Sequence, residues 1–222
     1  MSSVKGTTLK WSDGNSKVKK LKKIFGKTFS FGLPAFQSAD GFKVCPGAGA
    51  CAAICFARQG HYIREGVRAC REHNLKRARR NLRAFVKDAV IDLIKLRAKL
   101  VRVHDSGDFF SQRYLDAWYE IARLLPGVRF YAYTKSVHLN IWKGKPGNFS
   151  LVQSEGGLWD ADIDTDRAHA RIFSTEAARK VAGYGDGGNT DKLAVQAKDG
   201  TKIGLVYHGN ANLTPAQEKH FS

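Results

Sequence analysis

Three of the four cysteines in this chain, Cys45, Cys51 and Cys55, fall within the stretch CPGAGACAAIC, spaced C-x5-C-x3-C. Thiolates are soft ligands, and gathered at this density they suit zinc or an iron–sulfur cluster. A structural zinc knuckle pairs cysteines about two to four residues apart and needs four ligands, so the x5 gap departs from that pattern. A [4Fe-4S] cube has corners several ångströms apart and accepts three ligands from one looping segment. Gly47, Gly49 and the alanines around them would let backbone wrap closely around such a core. Pro46 removes one backbone donor and stiffens the loop after the first thiol. Cys70 is either a fourth ligand, closing the cluster, or a small buried residue, leaving one iron open to an outside group. His61 and His73 are further donors, though histidines beside a basic helix more often face solvent. Three unligated buried thiols are the plainest alternative. A nucleophilic-cysteine enzyme fits less well, because no cysteine is set apart with a histidine partner.

The elements that must position these thiols can be read from periodicity. The stretch KTFSFGLP before the cysteines predicts a strand. From about Arg64 to Leu100, apolar residues at Leu75, Ala78, Leu82, Phe85, Ala89, Leu93, Leu96 and Leu100 step by three and four, which predicts one long helix with a single buried stripe. VRVHDSGDFF is a short β-branched run ending in polar residues and glycine. Ser111 then caps a helix whose buried face is Tyr114, Leu115, Trp118, Ile121, Ala122 and Leu125, stopped by Pro126 and Gly127. VRFYAYTKS, FSLVQSEGG and ARIFST predict further strands, and EAARKVAGYG a brief helix. Asp199-Gly200, between two apolar-rich runs, predicts a C-terminal β-hairpin. Strands alternating with helices make this an α/β chain with mostly parallel strands, open or curled toward a barrel. Each apolar run ends in polar residues, and in such folds ligands bind at the carboxyl ends of the strands.

Length and charge bound the rest. At 222 residues one core suffices without disulfides. Residues 1–27 read as a basic N-terminal arm and 28–222 as a single domain. No apolar run approaches the ~18 residues of a membrane span, so the expectation is a cytoplasmic chain with no membrane partner. Of the net charge of +17, all lies in residues 1–103, with 23 Lys and Arg against 6 Asp and Glu. This half would attract nucleic acid, with Arg77, Arg79, Arg80 and Arg83 as candidate phosphate contacts, or its charges merely coat a solvated helix.

A tight three-cysteine loop before the first long helix, followed by β/α units, resembles the radical S-adenosylmethionine (SAM) superfamily. Its usual signature, C-x3-C-x2-C with an aromatic before the last cysteine, is not matched: Ile54 precedes Cys55 and Phe56 follows it. The wording around Cys45, Pro46, Ala48, Cys51, Cys55, Phe56, Ala57, Gly60, Tyr62 and Asn74 looks more like the phage-encoded gene product 88 family. These resemblances imply a radical-SAM-like partial (β/α) barrel, an oxygen-sensitive cluster on Cys45, Cys51 and Cys55, and an action in the host cytoplasm. They also imply a SAM site: Asp105, Ser106, Gly107 and Asp108 where a glycine-rich segment meets the methionine moiety, with Lys135, Gln153, Ser154, Glu155, Ser174 and His208 lining the same mouth. Asp105 and Asp108 would otherwise only cap the next helix. Three functions follow: a radical enzyme using SAM on an unknown substrate, a non-catalytic redox or structural cluster protein with an electron donor as partner, or a basic nucleic-acid-binding module braced by the cluster.

Overall fold

The computed structural model describes residues 4–207. In chain order the elements are β1 (Trp11–Ser12), α1 (Ser16–Phe25), β2 (Thr28–Phe31), α2 (Glu65–Arg80), α3 (Leu82–Lys95), β3 (Leu100–Val103), α4 (Gln112–Leu124), β4 (Arg129–Thr134), β5 (Phe149–Ser154), β6 (His169–Phe173), α5 (Glu176–Val181), β7 (Gly185–Asp186), α6 (Lys192–Val195) and β8 (Lys202–Val206). They build one mixed α/β sheet in the order β1-β2-β3-β4-β5-β6-β8-β7, in which only β1 runs antiparallel to its neighbour. β1 and β7 are its edges. Because β2 to β6 and β8 all point the same way, their carboxyl ends form one rim.

Alternating side chains are buried on both faces, as a parallel sheet requires. Phe29, Phe31, Val101, Val103, Phe130, Ala132, Phe149 and Leu151 join the buried stripes of α2, α3 and α4. The centre of that face is aromatic: Trp118 of α4 packs edge-on against Phe31 and Phe85, with ring centroids 5.1 and 5.6 Å apart. Truncating Trp118 to alanine would cost roughly 3–5 kcal/mol. On the other face Leu100, Tyr131, Val152, Ala170 and Ile203 are covered by Leu21 of α1 and by Ala194 and Val195 of α6.

Local chemistry explains most boundaries. Ser111 Oγ accepts the Tyr114 amide to start α4, and Asn15 and Thr175 cap α1 and α5 through the Lys17 and Ala178 amides. Three expectations are corrected. The long helix is two: Asn81 takes an extended backbone (φ −158°, ψ 106°), and its side chain accepts the Ala84 amide, ending α2 and capping α3. An apolar stripe with the same step on both sides hides such a break. Residues 1–27 are not an extended arm where described: Trp11 and Leu21 are fully buried, and residues 16–25 form α1, which packs on β2. Finally, the described residues form no C-terminal hairpin. The KLAV run is α6, and Asp199-Gly200, with Gly200 at φ +74°, is the turn from α6 into β8, whose partners are β6 and β7. A run of three apolar residues, Leu193 to Val195, carries no period of its own, so tertiary packing chose helix. Among the described residues no helix is long and apolar enough to cross a membrane.

Candidate functional site

The cysteine loop runs from the end of β2 across the carboxyl rim. It is first pinned to itself: the Cys45 and Val44 amides donate to the Phe36 carbonyl at 3.1 and 2.8 Å, and the Phe36 amide donates to Cys45 Sγ at 3.3 Å. It then docks on the ends of β4 and β5. Ala48 bridges Gly157, the Leu158 amide donates to the Gly47 carbonyl at 3.0 Å, and the Cys51 amide donates to the Gly156 carbonyl at 3.2 Å. A β-carbon on Gly49 would lie 2.8 Å from the Gly157 carbonyl, and one on Gly47 would strike the backbone of Lys135. The loop's glycines are therefore spent on approaching strand ends, a use that the sequence reading assigned to an inorganic core. Asp160 holds the other side of the dock, accepting the Gly156 and Gly157 amides at 2.7 and 2.8 Å. Sequence reasoning missed Asp160, although the Gly156-Gly157 pair before it is a turn signal.

All four cysteines are free thiols, each half-buried. Burial raises the pKa of Cys45, Cys51 and Cys55, and the groups act on one another: Cys55 and Cys51 push Cys45 up further, as does Asp108, while Lys135 pulls Cys51 and Cys55 back. The three predicted ligands thus share one electrostatic neighbourhood. Cys70 lies elsewhere. It lines a small cavity of about 30 Å³ with Trp11, Ser12, Ser30, Arg71 and Asn74, and none of the other three cysteines borders it. Among the described residues, no three His, Cys, Asp or Glu side chains converge closely enough to hold a single metal ion. The donor set is three soft thiols from one loop, which suits a cluster whose irons are spread over several ångströms better than one ion.

The segment from His104 to Asp108 is built into the rim by its own protein partners. Asp105 is buried and accepts Arg71 Nη2 at 3.1 and 3.2 Å, while its amide donates to the Phe31 carbonyl. Ser106 Oγ donates to the Leu33 carbonyl. Gly107, at φ +81°, leaves only 2.6 Å between a β-carbon and Leu33 Cβ. Asp108 accepts Thr134 Oγ1 and the Phe109 amide at 2.7 Å and the Lys135 amide at 2.8 Å. Desolvation raises its pKa against these donors. Neither aspartate caps α4, and neither has an oxygen without a donor.

The other expected mouth residues divide. Lys135 reaches the Ser154 hydroxyl at 2.7 Å and the Glu155 carbonyl, which brings Lys135, Ser154 and Glu155 together beside the cysteine loop. Glu155 also meets Arg171 Nε at 3.5 Å and the Tyr184 hydroxyl at 3.4 Å. Gln153 is buried lower down, its amide clasping the backbone of Asp164 at 2.8 and 3.0 Å. Ser174 is exposed just past β6. His208 lies outside the described residues. The ring pair His138 and Trp159, with centroids 3.8 Å apart, stands near the same edge and had no signature in sequence. Of the basic helix residues, Arg77 pairs with Asp88, and Arg79 pairs with Asp40 at 2.7 Å while lying over the Phe42 ring at 4.1 Å; Arg80 and Arg83 are exposed.

Fold and site define an α/β protein with a mostly parallel sheet and a thiol-bearing loop clamped across its carboxyl rim. The chain belongs to the Gene product 88 family, whose model matches residues 5–219. It is 38% identical over 175 residues to the Gene 88 protein of Mycobacterium phage L5, covering 68% of this chain and 72% of that protein. The Gene 88 protein of Mycobacterium phage D29 matches to the same degree, with 71% of its length covered. No solved structure matches. The phage-family resemblance is therefore established, while the radical-SAM likeness gains no support.

Proposed function

We propose that this phage-family protein binds a [4Fe-4S] cluster through Cys45, Cys51 and Cys55. The observation behind this reading is that one loop, held by bare glycine backbone on β4 and β5, brings these three thiols into a shared, half-buried neighbourhood beside Lys135. Such a cluster supplies one-electron redox chemistry when bound. What the chain itself does is half-bury the thiols and supply a cation, Lys135, that favours the thiolate forms of Cys51 and Cys55. Ligation needs thiolates, so loading releases protons and opposes the upward push that burial gives these groups.

With Cys70 in a separate cavity, the fourth position falls to an outside ligand, and SAM is the one that the partial-barrel reading would place there. The residues at the rim do not fit the amino-acid end of SAM: Asp105 is taken by Arg71, Asp108 by Thr134 and two amides, and Lys135 by Ser154 and Glu155. No catalytic step is derived through SAM, and a redox or structural cluster is the better reading.

The test is anaerobic purification with iron and sulfide assays, followed by electron paramagnetic resonance of the reduced protein with and without SAM. A [4Fe-4S] signal unaffected by SAM is the expected result. A signal that shifts with SAM would restore the radical-enzyme reading. No iron, or zinc instead, would overturn the proposal.

A further inference from the structure

We infer that the cleft between the cysteine loop and α2 is a docking groove for single-stranded nucleic acid. This inference stands apart from the cluster. The cleft has a volume of about 230 Å³, with Pro34, Ala35 and Ala57 supplying apolar wall and Arg58, Arg68 and Arg71 supplying charge. Arg71 is spent on Asp105, and Glu72, also in the wall, accepts the Ala39 amide at 2.8 Å. Arg58 and Arg68 are exposed and, with Arg64 nearby, have no carboxylate partner among the described residues, although Arg58 Nη1 donates to the Ala52 carbonyl at 2.9 Å and its guanidinium lies 5.6 Å from the Phe36 ring centroid. Arg77 and Arg79 on the same helix do have such partners; Arg80 and Arg83 are exposed without one among the described residues, so what sets the cleft apart is its concave, partly apolar wall beside the arginines.

The second observation is aromatic. Ile63, 57% exposed, lines the cleft, and Phe56, 54% exposed, lies just outside it on the turn that carries the lining residues Ala57 and Arg58. Exposed His61 lies 4.4 Å from the Tyr62 ring, and Phe56 stands edge-on to Tyr62 at 5.4 Å. Arginines without carboxylate partners in the cleft, with the exposed rings of Phe56 and His61 at its edge, offer a phosphate backbone and unstacked bases the two contacts they use. A duplex keeps its base faces stacked and would leave Phe56 and His61 without partners. An acidic protein segment would satisfy the arginines and ignore the rings.

The experiment is a fluorescence-anisotropy titration of the full chain with labelled oligothymidylate across a salt series, with circular dichroism confirming that each variant is folded. Arg58→Ala combined with Arg68→Ala should weaken binding at least tenfold and flatten the log–log salt slope by about 1.4, at ~0.7 per phosphate contact on a single strand. Phe56→Ala should weaken binding roughly fivefold or more with the slope unchanged. Arg80→Ala combined with Arg83→Ala should change affinity less than the first pair. Absence of binding at low salt, equal affinity for duplex of the same length, or indifference to the Arg58 and Arg68 changes would overturn the inference. Polyglutamate competing as well as oligothymidylate would also overturn it and assign the groove to an acidic protein.

Discussion

Gly47 sits so close to Lys135 that a β-carbon there would strike the Lys135 carbonyl oxygen. The same lysine carries its ammonium to Ser154 and to the Glu155 carbonyl, so one residue joins the cysteine loop, the end of β4 and the end of β5. The placing of the thiols depends on that dock.

Gly47→Ala should therefore lift the loop from the rim and destabilise the fold by about 1–3 kcal/mol, since backbone cannot yield as a side chain can. Gly66→Ala is the control: it lies in the first turn of α2 with nothing within 4 Å of a β-carbon. It should stabilise by roughly 0.5–1 kcal/mol. Denaturant unfolding of both variants measures the contrast, and equal effects would refute the dock.

Replacing Cys45, Cys51 or Cys55 singly by serine should lower the iron bound per chain after anaerobic reconstitution. Cys70→Ser should leave it unchanged, because Cys70 lies in the cavity beside Trp11 and Asn74. Iron lost in the Cys70 variant would move that residue into the ligand set.

Asp191 is fully buried beneath the sheet, paired with Arg102 Nη1 at 3.0 Å and Lys17 Nζ at 2.8 Å, and accepts the Tyr131 hydroxyl at 3.0 Å. Burial works to raise its pKa, but Arg102 and Lys17 outweigh this and hold it below 3.8. Its stabilisation is present above the unfolded value of 3.8 and is lost as pH falls through the lower folded value. Asp191→Asn should cost about 3–5 kcal/mol near neutral pH, because Arg102 is left buried without its charge partner. Urea unfolding at several pH values should show the variant losing less stability than wild type on acidification below about 4.

His104 is buried at φ +64°, with Nε2 beside the Tyr114 hydroxyl at 3.0 Å. Desolvation lowers its pKa from 6.5 to about 3. Between these values the unfolded chain takes up a proton that the folded chain refuses, so this group's stabilisation is complete above 6.5 and is lost as pH falls toward 3. His104→Asn tolerates the left-handed backbone and removes the titration. Melting temperature should then vary less with pH from about 4 to 6.5 than in wild type. An unchanged slope would place the His104 titration outside the folding equilibrium.

Much of the scaffold was legible because its signals are local. Alternation and β-branching located β2 to β6, and Ser111 with its spaced apolar residues located α4, since a side chain one strand residue or one helical turn away decides burial there. The break at Asn81 and the identity of α6 were not legible. A stripe continues through a cap, and three apolar residues fit either period.

The site divides along the same line. The order of residues alone determined that Cys45, Cys51 and Cys55 lie on one short glycine-rich loop ahead of the basic helix, and that polar residues follow each strand. Only the tertiary structure decided what those residues face. Asp105 meets Arg71, 34 positions earlier, and Asp108 meets Thr134, 26 later, which withdraws both from a ligand. Asp88 and Asp40 neutralise Arg77 and Arg79, while Arg58 and Arg68 have no carboxylate partner among the described residues, at a cleft formed by three separate segments. A charge's partner depends on distance in space, and chain order constrains that distance only between near neighbours.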